Sequence, residues 1–293
     1  MSLDVVIKTC QILGDSAEAL AALGAYLQIR RPESDPGIRA LLKDVLRAVK
    51  PELLQNELSA AEEAAALALI QVTFRQAADL LNNPARRPGW SYEDETILQM
   101  QGQVSRLIVR AILAAAAERP SLNAILKIGA HFLDIGTGVG LLAIEAAKAW
   151  PDLHVVGIDP WQLALSLAEK NVRRSGLSDR IELRRQKIEE LQDQNAFELA
   201  WLPGPFLSAP LLPNALRHVQ RALMPGGWVI FGMFPAAPTE LGRALAALRA
   251  VRNGGHPWTE IEAESRLREA GFDEVETATS DLPALLVLGR RSV

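Results

Sequence analysis

The spacing of hydrophobic positions changes once along the chain, near residue 126. Before that point apolar residues recur every three to four positions, as in "SAEALAALGAYLQI" and across residues 59–81, which predicts helices. Helix-start residues support this: Asp35 precedes Pro36, and Ser59 with Glu62 has the sequence of a capping box. We therefore predict an all-helical N-terminal domain over residues 1–122.

Short apolar runs alternate with helical stretches in the rest of the chain, residues 123–293. Seven runs predict strands: "AHFLDI", "LHVVGID", "RIELRRQ", "FELAWL", "GWVIFGMF", "FDEVETA" and "ALLVLGR". The alternation predicts a mostly parallel sheet with helices on both faces. No helix separates the last two runs, which a short Asp-Leu-Pro turn joins, so we expect them to pair antiparallel at one edge.

Composition narrows the class of protein. The chain has 293 residues, of which 49% are hydrophobic, enough for a packed core. Lys and Arg number 31 against 35 Asp and Glu, so no overall charge favours nucleic acid or an anionic membrane. The first residues lack a signal sequence, so we expect a cytoplasmic protein. The single cysteine, Cys10, excludes an internal disulfide, and we expect a buried thiol.

A glycine-rich turn follows the first predicted strand in "HFLDIGTGVG". Gly136, Gly138 and Gly140 carry no Cβ and accept positive φ, which lets a ligand approach the backbone. The spacing is G-x-G-x-G, and Leu141 stands where the dinucleotide pattern has its last glycine. This spacing disfavours a nicotinamide dinucleotide.

An acidic residue, Asp159, ends the second predicted strand in "VVGIDPW". A carboxylate at this point can accept hydrogen bonds from both hydroxyls of a ribose. In a parallel sheet, ligands bind beyond the carboxyl ends of the strands. The glycine turn and Asp159 together predict a site for a nucleoside.

These motifs form a series that resembles a known family. "FLDIGTGVG", "VVGIDP", "FELAWLPGPFL", "LRHVQRALMPGGWVIFG" and "LREAGFDEVE" look like the class I S-adenosylmethionine-dependent methyltransferases over residues 126–293. The resemblance implies an α/β fold with a seven-stranded Rossmann-like sheet in the order 3-2-1-4-5-7-6 and only strand 7 antiparallel. It also implies S-adenosylmethionine as the cofactor, S-adenosylhomocysteine as its product, and no metal.

The same resemblance assigns the cofactor residues. The methionine part borders Asp134 and the turn, the ribose meets Asp159, and the adenine lies near the residues after strands 2 and 3. The implied set is Asp134, Gly136, Thr137, Gly138, Gly140, Asp159, Pro160, Trp161, Gln186, Lys187, Ile188 and Leu202. The acidic residue often found after strand 3 is absent; Gln186 and Lys187 occupy its place, and the Gln186 amide is the alternative contact.

The helical N-terminal part, set before such a domain, resembles the small-molecule O-methyltransferases of natural-product biosynthesis. That likeness implies a homodimer whose N-terminal helices, here 3–29 and 59–81, make the contact and cover the active site. These enzymes commonly carry a histidine base just after strand 4. Ser208 falls at that position here, so the usual base is absent.

Methyl transfer can proceed largely by holding the acceptor in line with the methyl group. A base is needed only for an acceptor that arrives protonated, so the missing histidine favours a carboxylate, an acidic enol or phenol, or an amine. His256, in the loop after strand 5, is the candidate base, with a loop or capping role as the alternative. His131 and His154 begin strands, and His218 lies inside a helix, so we expect these three to be structural.

Six further residues are candidates for the acceptor site: Trp90, Tyr92, Gln101, Ser105, Pro203 and Phe206. The aromatic pair 90/92 could equally staple a helix to its neighbours, and the polar pair 101/105 could face another helix. The segment "WLPGPFL" has no Asn or Asp where adenine methyltransferases carry an Asn-Pro-Pro-Tyr motif, which argues against a nucleobase amine as acceptor.

We predict a methyltransferase that acts on a small molecule, at a phenol, enol or carboxylate oxygen. Two alternatives stay open. One is an N- or C-methyltransferase, or a carboxyl methyltransferase acting on a peptide. The other is a catalytically silent module that binds S-adenosylmethionine and whose N-terminal helices contact a partner.

Overall fold

The structure, a computed structural model, describes residues 2–29, 35–55, 57–127, 129–235, 237–278 and 284–292. The predicted Asp-Leu-Pro turn, residues 281–283, lies outside these residues. The chain forms two compact units, Met1–Asn82 and Asn83–Val293.

The first unit is helical, as predicted. It contains α1 (Leu3–Gln28), α2 (Pro36–Val49), a 3₁₀ turn (Pro51–Leu54) and α3 (Ala60–Asn82). The predicted caps form, since the Asp35 side chain accepts a hydrogen bond from the backbone N–H of Ile38 at 3.0 Å and Ser59 and Glu62 bond reciprocally. Helix α1 packs against both α2 and α3.

Cys10 is exposed, so the expectation of a buried thiol is wrong: among the described residues Gly24 is the buried position of α1, and the thiol lies on an exposed part of the helix. Helix α3 has the length and mean hydropathy, 1.2, of a membrane span, with 22% of that window buried. Core helices of proteins in water pass the same test, so this composition is weak support for a span.

The second unit begins with three helices, α4 (Glu95–Ser105), α5 (Leu107–Ala117) and α6 (Pro120–Lys127). The sequence boundary at residue 122 puts most of this segment in the N-terminal domain, whereas the structure joins it to the second unit. The reason is packing, because Val109 and Ile112 share one buried cluster with Leu142 and Leu153 from the sheet region.

The sheet has seven strands: β1 (His131–Ile135), β2 (His154–Asp159), β3 (Ile181–Arg185), β4 (Phe197–Pro203), β5 (Leu223–Met233), β6 (Phe272–Ala278) and β7 (Leu285–Arg291). Their order is β3-β2-β1-β4-β5-β7-β6. Strand β7 runs antiparallel to both β5 and β6, and the other pairs are parallel. The predicted fold and strand order are confirmed.

Helices cover both faces of this sheet: α7 (Leu141–Ala149), α8 (Gln162–Ser175), α9 (Leu212–Ala222), α10 (Glu240–Arg252) and α11 (Glu260–Glu269). Successive strand residues belong to different cores, so that Phe132 lies in one buried cluster and Leu133 in the other. Since both faces are buried, the central strands are apolar throughout.

One glycine sets how closely α4 approaches the sheet. A Cβ on Gly102 would overlap Val139 Cγ2 and lie 3.1 Å from Leu141 Cδ1. Helix α4 can therefore rest directly on the turn between β1 and α7. Asn171 of α8 adds a polar tie, because its amide donates to the carbonyl of Val139 at 2.9 Å and to Gln99 Oε1 of α4 at 3.1 Å.

Candidate functional site

A cavity of about 360 Å³ lies beyond the carboxyl ends of β1, β2, β3 and β4, within the second unit. Cavities of roughly 300–1,000 Å³ are typical of small-molecule sites. Residues from the glycine turn, from the ends of β2 and β3, and from α4 all contribute to its wall. The sequence placed its nucleoside site at this edge of the sheet.

The glycine turn is fixed by backbone hydrogen bonds to β2. The N–H groups of Gly136 and Thr137 both donate to the carbonyl of Ile158, at 2.8 and 3.1 Å. Gly140 caps the start of α7 with φ of 75°, in the left-handed region that favours glycine. Gly136, Thr137 and Gly138 line the cavity, whereas Gly140 lies behind them against Ala168.

Asp134 is buried beneath the turn, with 1% of its surface exposed. Its carboxylate accepts a hydrogen bond from the Thr137 hydroxyl at 2.7 Å. Burial raises the pKa of Asp134 to about 7; the Thr137 bond opposes this rise, and the nearby charge of Asp159 adds to it. The residue holds the turn from below and changes charge near neutral pH.

Asp159 is held in place by two backbone donors. Its Oδ1 accepts from the N–H of Trp161 at 2.8 Å, and its Oδ2 accepts from the N–H of Gly138 at 2.9 Å. Burial raises the pKa of this carboxyl, while the two backbone bonds act in the opposite direction. Each carboxylate oxygen can accept a second hydrogen bond, so the group can still meet two hydroxyls of a ligand.

A buried donor on the cavity wall has no partner. The indole Nε1 of Trp161 is buried and forms no hydrogen bond with any of the described residues. Leaving such a donor unpaired costs about 1–3 kcal/mol, which a ligand acceptor would recover. Together with the free capacity of Asp159, this donor fits a polar, nucleoside-like ligand.

The segment after β3 supplies an acidic residue that sequence reasoning missed. Gln186, Lys187 and Ile188 line the cavity as expected, and so does Glu189. The amide of Gln186 already donates to the carbonyl of Glu190 at 2.9 Å. Residues 188–190 form a 3₁₀ turn, and this turn places Glu189 at the cavity wall. Glu189 does not stand at the position after β3 where the family usually has its acidic residue.

The candidate acceptor residues mostly come together on one side of the cavity. Trp90, Gln101, Ser105, Pro203 and Phe206 line it. The rings of Trp90 and Phe206 meet edge to face at 5.1 Å. Tyr92 lies outside the lining and packs on the Trp90 ring at 5.0 Å, so it supports the wall from behind.

Other apolar residues of this wall were not expected from the sequence: Leu98, Gly102, Val139, Leu207 and Leu211. The ionisable lining residues among the described part of the chain are Asp159, Lys187 and Glu189, all on the nucleoside side. The acceptor side therefore carries only neutral polar groups, the Gln101 amide and the Ser105 hydroxyl. That hydroxyl donates to the Gln101 carbonyl at 3.0 Å.

Besides Asp134, Gly140 and Tyr92, two more of the predicted site residues do not line this cavity. Leu202 is 0% exposed, because its side chain belongs to the core below the sheet edge. His256 lines a different cavity of about 550 Å³, beside Trp258. The candidate base His256 is therefore not among the residues that line the nucleoside cavity.

The other three histidines lie where the sequence placed them. His131 and His154 stack at 5.7 Å at the amino ends of β1 and β2. His218 Nδ1 lies 2.8 Å from the carbonyl oxygen of Leu191. Within the described ranges, no group of three or more His, Cys, Asp or Glu side chains could hold a metal ion.

Comparisons with known proteins agree with this geometry. A family model described as a methyltransferase domain matches residues 132–227. The U6 snRNA (guanine-N(2))-methyltransferase THUMPD2 of Bos taurus is 44% identical over 150 residues, which cover 50% of this chain and 30% of that protein. The release factor glutamine methyltransferase of Rhodopirellula baltica is 30% identical over 134 residues, 43% of each chain. The match spans less than half of either relative.

Solved structures extend the likeness of fold. Human N-acetylserotonin methyltransferase, in complex with S-adenosylmethionine, aligns with a TM-score of 0.68 at 15% identity, over 100% of this chain and 99% of that one. The mitomycin 7-O-methyltransferase MmcR aligns with a TM-score of 0.61 at 15% identity, over 99% and 98%. At these identities the comparison establishes a shared fold.

Proposed function

Because this chain contains a methyltransferase domain of the class I S-adenosylmethionine-dependent fold, we propose that it transfers the methyl group of S-adenosylmethionine to an oxygen of a small, largely apolar molecule. The observation that carries the proposal is one cavity with two different sides. Its nucleoside side has a fixed carboxylate and an unpaired indole donor, and its acceptor side is apolar and uncharged.

The residues of the nucleoside side suit the cofactor. Asp159 would accept hydrogen bonds from the ribose hydroxyls with its remaining lone pairs. Trp161 Nε1 would donate to a ligand atom, and Glu189 could accept from the adenine amino group. When bound, S-adenosylmethionine supplies an electrophilic methyl group on a sulfonium.

The residues of the acceptor side would position the methyl acceptor and exclude water. The edge-to-face pair of Trp90 and Phe206 gives a flat apolar wall, and the Gln101 amide offers one neutral polar contact. Well-aligned reactants can reach effective molarities on the order of 10⁵ M without a catalytic base. The described lining residues offer an ionised carboxylate no cation on this side, so a phenol or enol oxygen fits better than a carboxylate.

Calorimetry with S-adenosylhomocysteine tests the nucleoside side. Asp159→Ala should lower the affinity by roughly 10- to 150-fold, the range expected for hydrogen bonds to a charged group. The matched control is Asp152→Ala, an exposed carboxylate in the turn before β2. No binding by wild-type protein at millimolar concentration would refute the cofactor site. Equal affinity in the two variants would refute the role of Asp159.

Methyl transfer to nitrogen is the second candidate, and the two sequence relatives favour it. One relative is named for guanine N2 of an RNA and the other for a glutamine of a protein. Against it stands the turn Pro203–Phe206, which has no Asn or Asp to accept from an amine. Cell extract incubated with protein and methyl-labelled S-adenosylmethionine separates the two. Label in small organic products supports our proposal, and label in RNA or protein supports the second candidate.

Binding of the cofactor without labelled product in extracts from several growth conditions would favour a silent binding module.

We also propose a homodimer in the cytoplasm, within a natural-product pathway. Exposed apolar side chains on the first unit support the dimer: Leu3, Val5, Ile12, Leu13, Ile38 and Leu41. Light scattering at micromolar concentration tests it, and a monomer would contradict it.

A further inference from the structure

The second cavity, of about 550 Å³, has no role in the proposed methyl transfer. It lies at the carboxyl end of β5, where Met233 and Phe234 form its floor, and helix α10 covers it with Ala246, Ala247 and Ala250. Most of this wall is apolar, and small alanine side chains leave the space open.

A closely packed partition separates the two cavities. Trp258 lines the second cavity and donates its indole N–H to the carbonyl of Gly204 at 3.2 Å. A Cβ on Gly255 would overlap the carbonyl of Pro205, so the loop before α11 lies directly on the turn after β4. Phe206 of the same turn lines the nucleoside cavity on the other side.

The charged side chains on the described wall of the second cavity are Arg243 and Glu260. Arg243 lines it and donates only to the carbonyls of Ala237 and Pro238, at 3.3 and 3.2 Å. Arg249 lies over the Phe234 ring, 5.5 Å from its centroid, and burial lowers the pKa of its guanidinium. Neither arginine is paired with a carboxylate among the described residues. Arg243 is exposed and both of its printed bonds come from Nη1, so its other guanidinium N–H groups can donate charge-assisted hydrogen bonds to an anionic ligand.

The two acidic side chains near the second cavity, Glu260 and Glu262, are already stabilised by other groups. Glu260 lines the cavity in the first turn of α11, where the helix N-terminus favours a negative charge. Glu262 accepts from the backbone N–H and hydroxyl of Thr259 and lies 4.0 Å from His256 Nε2. Arg243 and Arg249 of α10 have no such carboxylate partner among the described residues, and of the two it is Arg243 that lines the cavity.

We propose that the second cavity binds a flat, apolar molecule carrying one carboxylate, separately from the cofactor and the methyl acceptor. The aromatic rings of Phe234 and Trp258 take the flat part, and Arg243 takes the carboxylate. Trp258 is also hydrogen-bonded to the turn that carries Phe206. A ligand packed on Trp258 therefore contacts a residue that holds the acceptor wall in place.

The test is titration of the full-length protein with 2-naphthoate, followed by calorimetry and by the fluorescence of the tryptophans, with and without saturating S-adenosylhomocysteine. We expect saturable binding in both conditions. Displacement of 2-naphthoate by S-adenosylhomocysteine would place it in the nucleoside cavity and overturn the proposal, as would the absence of saturable binding at millimolar concentration.

Variants locate the site. Arg243→Gln should weaken 2-naphthoate about tenfold, the effect of one partly exposed charge-assisted hydrogen bond, and leave the neutral 2-naphthamide unchanged. Ala247→Trp should fill the cavity and abolish binding of both probes while S-adenosylhomocysteine still binds. The matched control is Arg266→Gln, an exposed arginine of α11 paired with Glu269. Equal affinity in Arg243→Gln and Arg266→Gln, or undiminished binding in Ala247→Trp, would overturn the assignment.

Discussion

Asp134 should contribute a pH dependence to the stability of the second unit, and Asp134→Asn should remove that contribution. Burial raises the pKa of this carboxyl from 3.8 to about 7. The unfolded chain therefore releases the proton at lower pH than the folded chain does. Between those two values the folded state binds more protons, so wild-type stability falls as pH rises from about 3.8 and levels off above about 7.

The size of the effect follows from the shift. One pKa unit corresponds to about 1.36 kcal/mol, so the two units between pH 5 and pH 7 set an upper limit on the order of 3 kcal/mol. An asparagine at this position keeps an oxygen that can accept from the Thr137 hydroxyl but has no charge to bury. The free energy of unfolding of the variant should therefore increase relative to that of the wild type as the pH rises from 5 to 7.

Urea unfolding followed by tryptophan fluorescence measures this. The chain has 6 tryptophans, all after residue 82, so the fluorescence reports the second unit alone. Asp152→Asn, in an exposed turn, is the control and should track the wild type at every pH. The reasoning fails if the stability difference between Asp134→Asn and wild type is the same at pH 5 and pH 8.

Three further outcomes test the site and its supports. Gly102→Ala should destabilise the second unit by about 1–3 kcal/mol in urea, because its Cβ would overlap Val139, whereas Gly14→Ala, with nothing within 4 Å, should stabilise α1 by about 0.5–1 kcal/mol. Trp161→Phe should weaken S-adenosylhomocysteine about 2- to 10-fold in calorimetry without lowering the stability of the free protein, because its buried donor has no partner to lose in the described structure. Asn171→Leu should lose three hydrogen bonds and speed hydrogen exchange in residues 95–105; unchanged exchange would refute its role as a tie.

The sheet and the glycine turn could be predicted because local chemistry determines both. Apolar runs buried on two faces predict parallel strands, and the predicted β6 and β7 pair antiparallel. Asp159 could be found because it ends a strand at the ligand-binding edge of the sheet. The order of the strands came from the resemblance to a family, since pairing between distant strands has no local signal.

Residues whose position depends on tertiary packing could not be placed correctly from the sequence. Helices α4 to α6 have the same amphipathic pattern whichever unit they pack against, so the boundary was placed too late. Glu189 reaches the cavity through a 3₁₀ turn, which hydrophobic periodicity does not predict. His256 follows strand β5 as expected, but the turn after β4 stands between its cavity and the nucleoside site.

The exposed thiol of Cys10 has a practical consequence. It is the only cysteine in the sequence and lies in the first unit, whereas every tryptophan belongs to the second. A maleimide dye on this thiol that absorbs at the tryptophan emission wavelength is an acceptor for energy-transfer measurements, and no engineered label site is needed. The efficiency of that transfer, recorded as S-adenosylhomocysteine is added, would report whether filling the nucleoside cavity draws the first unit toward the second.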